Sequence, residues 1–406
     1  MSTAGGAFAQ FALDKLLQKA ERAWARAAPP EGSLLFSEAS LPEYFQLPLR
    51  ADKDVAHAEL RSVERLGAVA LEWDRRAGID GQIERMRLLD AERIATCLDR
   101  KAAWTLYAEA ERQLAPWAQI PSIAHVLSRW RSGKQVRGLG SQRVADCADA
   151  CKVMNACRQL ATVEDVPVRR LSAALFADSK RIENITPALD ILTSDALDAL
   201  ARDPDDVLRA LGLVKFKQPV LIAGLGAIEL VGGQTIPIPA PYIGLAPQSI
   251  QAVHCNGDGG YLLSVENLTT FHELAMGRGG TLKCLLIYTA GMPSPALQRV
   301  YRLCAQSREA GVQPRWHWGD IDLGGFRIAG VLAALTDSPL RLWSMDPSRY
   351  PDAASRKALS KEERSEIIAI GQKWGWSKTT RNVEQDGRAI EQESLVNELP
   401  PGRITP

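Results

Sequence analysis

The C-terminal third of the chain alternates short apolar runs with amphipathic stretches, and this pattern constrains the fold more than any other feature. It predicts strands at 261–267, 282–291, 314–322 and 340–345, and helices at 296–310 and 325–335. Buried strands that alternate with amphipathic helices are typical of a parallel sheet flanked by helices. The charged tail at 360–396 is predicted to be helical. We therefore expect an α/β domain at 246–406.

Three acidic residues stand where two of these strands end. Glu266 ends the first strand, and Asp320 and Asp322 end the third. Functional groups of open α/β sheets gather at the carboxyl ends of strands, so we expect these side chains to lie together. Clustered carboxylates are the ligands that Mg²⁺ or Mn²⁺ prefers, and a divalent cation assists attack on an anionic phosphodiester. The alternative, that each acid only caps a helix or ends a strand, stays equally open from the pattern.

Glycines surround the two aspartates, at Gly319, Gly324 and Gly325. We expect them to let the backbone turn sharply around the carboxylates. His317, which lies in the same strand, is expected to pack or hydrogen-bond locally and not to ligate a metal.

The N-terminal half has the outline of a winged-helix module. Helical spacing of apolar residues predicts helices at 8–27 and 52–66, and the turn-rich sequence between the apolar runs of 68–88 predicts a β-hairpin. A further helix is predicted at 90–100. Residues 166–212 are predicted to form two or three helices, and 218–245 short strands and a linker. With 406 residues the chain is long enough for two to four domains, and we place them at 1–145, 146–245 and 246–406.

The net charge of +1 does not indicate a nucleic-acid partner, but local charge does. The segment 129–143 carries five basic residues and no acid, and basic residues recur near 180. Such stripes can follow a phosphate backbone, or they can be ordinary solvated surface. The candidate DNA contacts are Arg129, Arg131, Lys134, Arg137, Arg143, Lys180 and Arg181.

Composition also bears on location. No apolar run is long enough to span a membrane, and the first residues lack the pattern of a secretory signal. The seven cysteines are scattered and odd in number, which fits reduced thiols better than a disulfide framework. We therefore expect a cytoplasmic protein without a membrane partner.

Four motifs around the acids resemble a known family. They are VENLTTF (265–271), LLIYTAGMP (285–293), WHWGDIDLGGFRIAGVL (316–332) and AIEQESL (389–395). They are similar to the JetD family, also called MksG, the nuclease subunits of Wadjet plasmid-defence systems. The order Glu, then Asp-x-Asp, resembles the Toprim signature. Segments at 64–73, 83–95 and 174–185 extend the resemblance over most of the chain.

The resemblance implies an N-terminal arm domain, a central winged-helix domain like that of the catabolite activator, a C-terminal Toprim domain and a homodimer. It also implies metal-dependent cleavage of double-stranded plasmid DNA presented by a condensin-like complex of SMC, kleisin and kite subunits. By this resemblance Glu266, Asp320 and Asp322 are the metal-binding and catalytic acids. Glu391 and Glu393 are candidates for a second metal position, or else lie on a solvated helix face.

Two other functions remain open from the sequence. Relatives of topoisomerase VI attack DNA with a tyrosine of the winged helix, but no tyrosine lies between Tyr107 and Tyr242. This favours metal-activated water over a covalent intermediate. A non-catalytic DNA-binding subunit of the same complex is the second alternative.

Overall fold

A computed structural model describes residues 4–74, 81–160, 164–194, 198–255, 260–277, 282, 284–306, 314–354 and 357–395. The chain divides into two compact units, an N-terminal unit at 1–148 and a C-terminal unit at 149–406. Within the described residues, no helix combines the length and the apolar character that crossing a bilayer requires.

The described residues form helices and strands, with two stretches of consecutive helices at 91–159 and 168–210. The helices are α1 (Ala4–Ala25), α2 (Pro42–Phe45), α3 (Arg50–Arg65), α4 (Ala91–Cys97), α5 (Ala103–Leu114), α6 (Pro121–Arg131), α7 (Val144–Gln159), α8 (Val168–Phe176), α9 (Arg181–Asn184), α10 (Thr186–Thr193), α11 (Pro204–Ala210), α12 (Leu268–Met276), α13 (Pro295–Ala305), α14 (Leu323–Ala333), α15 (Lys361–Trp374) and α16 (Ser377–Asp386). The strands are β1 (Ser33–Leu35), β2 (Val69–Trp73), β3 (Ile83–Leu88), β4 (Val166–Pro167), β5 (Leu213–Val214), β6 (Val220–Gly224), β7 (Gly226–Leu230), β8 (Thr235–Pro237), β9 (Ile243–Leu245), β10 (Ile250–Cys255), β11 (Tyr261–Val265), β12 (Cys284–Tyr288), β13 (Arg315–Trp318), β14 (Leu340–Leu342), β15 (Lys357–Ala358) and β16 (Arg388–Ala389).

The N-terminal unit packs helices on a small antiparallel sheet. The predicted helices correspond to α1, α3 and α4, and β2 pairs with β3 as the predicted hairpin. Its predicted turn lies largely at 75–80, outside the described residues. Strand β1 adds to the free edge of β3, a pairing that the sequence did not predict. The core comes from the apolar faces of α1 and α3 and from the sheet, and includes Leu16, Leu17, Leu60, Ile83 and Met86.

The described residues of the C-terminal unit contain a six-stranded sheet in the order β14-β13-β11-β12-β6-β9. Strands β14, β13, β11 and β12 are parallel, as the alternating pattern predicted. Strands β6 and β9 are antiparallel additions, so the sheet is mixed. They come from 218–245, which the sequence analysis had assigned to the central domain.

The parallel strands form the centre of the core. All five residues of β11 are buried, because β11 lies between β12 and β13 and helices cover the sheet. A separate antiparallel sheet, β10-β7-β8, packs into the same core through Ile228 and Val253. The winged-helix and Toprim arrangements stay predictions.

Gly224, the last residue of β6, is expected to tolerate no side chain. Its φ is +106°, and a Cβ there would lie 1.8 Å from the backbone oxygen of Cys284 in the neighbouring strand. We expect Gly224→Ala to lower the free energy of unfolding by about 2 kcal/mol or more, measured by urea denaturation. Gly232→Ala is the matched control, since its φ is +105° but nothing lies within 4 Å. If both variants lose the same free energy of unfolding, the close approach of Gly224 to Cys284 is not what requires glycine.

Candidate metal and active site

The ends of β11 and β13 bring Glu266 and Asp320 together. The two strands are in parallel register, with Val265 beside Trp318, so the residues that follow them leave the same edge of the sheet. The Glu266 amide donates to the Trp318 oxygen at 3.0 Å. The Asp320 amide then donates to Glu266 Oε2 at 3.2 Å. The Glu266 side chain therefore holds the loop that carries Asp320.

Asp322 begins the helix that follows this loop. It is the N-cap of α14, and its Oδ1 accepts a hydrogen bond from the Gly325 amide at 2.9 Å. The capping interpretation is thus correct as a structural role. It does not exclude a ligand role, because capping uses one carboxylate oxygen and leaves the second available.

A C-terminal segment closes the loop from the other side. Ile321 and Ile390 form an antiparallel bridge through two backbone hydrogen bonds of 2.9 and 3.2 Å. The Gln392 amide donates to Asp320 Oδ1 at 2.7 Å. The Glu391 carboxylate is also close enough to Asp320 for its charge to raise the pKa of that carboxyl.

Glu393 lies beside a different residue. Its Oε1 accepts from Asn267 Nδ2 at 2.8 Å, and Asn267 Oδ1 caps α12 through the amides of Thr269 and Thr270. Asn267 therefore links α12 to the C-terminal segment.

The helical tail predicted at 360–396 ends earlier than expected. Helix α16 stops at Asp386, where Gly387 adopts a left-handed φ of +71°, and Gln392–Ser394 form a single 3₁₀ turn. Glu391 and Glu393 are consequently not on an α-helix: Glu391 is half-buried before the 3₁₀ turn, and Glu393 is exposed within it. They lie on an irregular segment next to the acids, and a second metal position there stays a prediction.

Burial and mutual repulsion favour protonation of these acids. Burial raises the pKa of Glu266 to about 8, and the negative charges of Asp320 and Asp322 add to this effect. Burial also raises the pKa of Asp320, and the charges of Asp322 and Glu391 raise it further, while the Gln392 amide lowers it. The site therefore holds more negative charge than its surroundings stabilise.

The glycines around the aspartates serve a different purpose from the one predicted. Gly319, Gly324 and Gly325 are not among the described glycines with positive φ, so they are not needed for a left-handed turn. They provide space instead. A Cβ on Gly319 would lie 2.5 Å from Glu266 Oε2, and one on Gly325 would lie 2.2 Å from the Asp320 oxygen. A side chain at Gly319 would therefore displace Glu266, and one at Gly325 would collide with the backbone.

His317 is completely buried, one strand position before Trp318. Its Nδ1 lies 3.0 Å from Ser264 Oγ in the neighbouring strand, and burial lowers its pKa to about 3. The imidazole is therefore neutral and held locally within the sheet.

Two residues near the acids were missed by the sequence analysis as site residues. Gln392 is fully buried. Its side-chain Oε1 accepts from the backbone amide of Asn267 at 3.0 Å, and its own backbone amide donates to Asp320 Oδ1. Asp206 in α11 is close enough for its charge to raise the pKa of Glu266. Gln392 lies inside the quoted C-terminal motif, but Asp206 has no local signal because it is distant in sequence from the other acids.

Three of the basic residues predicted to contact DNA are already engaged. Arg131 donates to the Trp24 oxygen at 2.7 Å, and its guanidinium lies 4.0 Å from the centre of the Trp24 ring. Arg143 pairs with the aspartate three residues later at 2.6 Å. Arg181 binds Asp149 at 2.8 Å. These contacts explain the three arginines structurally without DNA.

The remaining candidates are more accessible. Arg129, Lys134 and Lys180 are exposed, while Arg137 is partly buried at a left-handed backbone position with a φ of +47°. Contact between these residues and DNA stays a prediction.

The donor set suits a hard divalent cation. Glu266, Asp320, Asp322 and Glu391 provide only oxygen donors, and their clustered charge is the kind that a divalent cation offsets. Among the residues that the structure describes, no group of three or more acidic, histidine or cysteine side chains is already arranged to hold a metal ion. Binding a cation there therefore requires these side chains to rearrange.

Because the pKa of Glu266 is raised, we expect the stability of the fold to depend on pH. A carboxyl whose pKa is higher in the folded than in the unfolded protein stabilises the fold at low pH, and this contribution is lost as pH rises. In EDTA, we expect the melting temperature to fall between the ordinary carboxyl range and about pH 8. Glu266→Gln should flatten this dependence in differential scanning fluorimetry. An unchanged slope in that variant would contradict the assigned pKa.

Comparison with known proteins agrees with the C-terminal motifs. Residues 245–401 match the family described as "Protein of unknown function C-terminus (DUF2399)". The Wadjet protein JetD of Bacillus cereus (strain Q1) is 25% identical over 266 residues, which cover 61% of this chain and 62% of that relative. The match thus spans less than two thirds of the relative's length. The resemblance inferred from the sequence is confirmed: this chain is similar to the Wadjet protein JetD and carries a DUF2399 domain at its C-terminal end.

Proposed function

We propose that this protein is a metal-dependent endodeoxyribonuclease that cleaves plasmid DNA as the effector of a Wadjet-type defence system. The observation that carries the proposal is the cluster of Glu266, Asp320 and Asp322 at the carboxyl edge of the sheet. The similarity to the Wadjet protein JetD supports the biological role. The part of the chain around the acids lies within the matched DUF2399 domain.

In this proposal Glu266, Asp320 and Asp322 hold Mg²⁺ or Mn²⁺. A bound cation would supply charge neutralisation at the phosphodiester and a lower pKa for the attacking water. In the metal-free site burial raises the pKa of Glu266 to about 8, so this carboxyl is also the candidate to accept or release a proton during hydrolysis. Asn267 and Gln392 hold the acids in place through their hydrogen bonds. Glu391 is the better candidate for a second metal position, because its charge acts on Asp320 while Glu393 binds Asn267.

The partners follow from the same similarity. We propose a cytoplasmic homodimer that receives double-stranded DNA from a condensin-like complex of SMC, kleisin and kite subunits. The exposed Arg129, Lys134 and Lys180 are the candidates for phosphate contact. Such contacts would make DNA binding strongly dependent on salt.

Plasmid cleavage tests the proposal directly. Supercoiled plasmid is incubated with the full-length protein in Mg²⁺, Mn²⁺ or EDTA, with and without the purified products of the neighbouring genes. We expect nicked or linear DNA with either metal and none in EDTA. Binding without cutting in every arm would instead support the non-catalytic subunit. Protein that stays attached to DNA ends on denaturing gels would support the topoisomerase-like alternative.

A further inference from the structure

A cavity of about 160 Å³ lies in the C-terminal unit. The end of β12 forms one wall through Tyr288 and Thr289, and α11 forms another through Leu208 and Arg209. A cavity of roughly 150 Å³ is large enough for one benzene-sized ring. The space therefore suits a single six-membered aromatic ring.

Helix α11 and strand β12 connect this cavity to the acid cluster. Tyr288 pairs with Val265, the residue before Glu266, and the charge of Glu266 contributes to a raised pKa of the Tyr288 phenol. On α11, Asp206 influences Glu266 while Leu208 and Arg209 line the cavity. The lining therefore includes the strand neighbour of Val265, one residue before Glu266, although the acids themselves are not among the lining residues.

The charges around the cavity cancel. Arg209 and Lys215 are balanced by Asp165 and Asp205, and Lys215 pairs with Asp205 at 2.7 Å. Arg209 is further engaged with the backbone oxygen of Ala290 at 2.5 Å. This balance suits a neutral ring with a polar edge better than a phosphate group.

Asp165 supplies a polar atom for such an edge. Its Oδ1 is buried without a hydrogen-bond partner among the described residues, while burial raises the pKa of the carboxyl and its neighbours Ser294 and Arg209 lower it. A carboxylate accepts hydrogen bonds and matches the exocyclic amine of cytosine. A buried acceptor without a partner is costly, and a base amine would satisfy it.

Phe216 completes the site at its rim. It lines the cavity, yet its side chain is 78% exposed, the highest value among the described large apolar residues. It stands between Lys215 and Lys217, whose ammonium groups pair with Asp205 at 2.7 Å and with Glu164 at 2.9 Å. Exposed aromatic rings flanked by cations are typical of surfaces that stack unpaired bases and follow the attached backbone.

We propose that this cavity binds one unpaired pyrimidine base of the DNA strand, with cytosine preferred over thymine. The inference rests on the proposed function for its substrate, DNA, and adds that the strand is locally unpaired. Extrusion of a base requires unstacking, and the site offers stacking on Phe216 and a hydrogen-bond acceptor in return.

Binding to short single strands tests this proposal apart from cleavage. The full-length protein is titrated in EDTA with labelled 12-nucleotide strands of deoxycytidine, of deoxythymidine and of abasic sugar phosphate, and anisotropy is recorded. We expect oligodeoxycytidine to bind roughly tenfold more tightly than the abasic strand, with oligodeoxythymidine in between. Equal affinity for all three strands would overturn the proposal.

Two variants locate the preference. Phe216→Ala should remove most of the difference between oligodeoxycytidine and the abasic strand, and Asp165→Ala should remove the preference for cytosine over thymine. Val231→Ala is the control, since Val231 is also exposed, at 66%, but does not line the cavity. If Phe216→Ala and Asp165→Ala both bind the three strands with the same relative affinities as the unsubstituted protein, the assignment to this cavity is overturned.

A competition experiment distinguishes a strand from a free nucleotide. Cytidine monophosphate should compete only weakly, because the strand adds backbone contacts outside the cavity. Equal competition by the mononucleotide would show a nucleotide-binding site and contradict the proposal. Plasmid cleavage without any base preference would leave the nuclease proposal intact and refute only this inference. Base preference without cleavage would refute the nuclease proposal alone.

Discussion

Replacing Asp320 by asparagine is expected to lower the rate of plasmid cleavage at least about a hundredfold. Asp320 is joined to Glu266 through its amide and to the Gln392 amide through its carboxylate, so it lies at the centre of the acid cluster. Asparagine has nearly the same shape but no charge, and it therefore tests cation binding more than packing. Initial rates of conversion from supercoiled to nicked or linear plasmid provide the measurement.

The control for this variant is Asp337→Asn. Asp337 is an exposed acid that follows α14 in the same unit. The control should cleave plasmid at the rate of the unsubstituted protein, with the same melting temperature. If Asp320→Asn cleaves as fast as the control, the acid cluster is not the active site.

Gly319→Ala is expected to lower the cleavage rate by roughly ten- to a hundredfold while the protein stays folded. The added methyl group would lie 2.5 Å from Glu266 Oε2 and 2.9 Å from His317 Nε2, so the glutamate must move. Displacing a catalytic group by about 1 Å can reduce a rate by about a hundredfold. The same plasmid assay measures the effect, with circular dichroism to establish the fold.

Gly32→Ala serves as the comparison for Gly319. The nearest atom to a Cβ on Gly32 lies at 3.5 Å, an ordinary contact, and Gly32 belongs to the N-terminal unit. It should leave cleavage unchanged. Full activity in Gly319→Ala would mean that the position of Glu266 is not important for catalysis.

Local patterns were sufficient to predict the parallel part of the sheet. The apolar runs at β11 and β12 are buried on both faces, and a continuous apolar run is the sequence signature of that environment. The cap at Asp322 was also foreseeable, because an N-cap depends on residues three positions apart. In both cases the interactions that decide the structure are close together in the sequence.

Contacts between distant segments were not predictable in the same way. Strand β6 joins the sheet antiparallel to β12, a choice that depends on how the chain returns and not on the composition of 218–245. Asp206 and Gln392 reach the acids from 60 residues before Glu266 and from well beyond Asp320, respectively. Arg131 and Arg181 were predicted as DNA contacts because their tertiary partners, Trp24 and Asp149, cannot be read from local charge.

The glycines illustrate the same limit at short range. The sequence around Gly319 correctly indicated an unusual loop, but the reason lies in a side chain from another strand. Glycine can be required for a positive φ or for space, and only the packed structure distinguishes the two.

Calorimetric titration of the full-length protein with Mn²⁺ tests the central claim most directly. At pH 7 we expect binding accompanied by proton release, because the cation must displace protons from Glu266 and its neighbours. The released protons make the observed heat depend on the ionisation enthalpy of the buffer. Asp320→Asn should lose this binding, and Asp337→Asn should retain it. Equal binding by the two variants, or no binding by the unsubstituted protein, would contradict the assignment of a metal site to these acids.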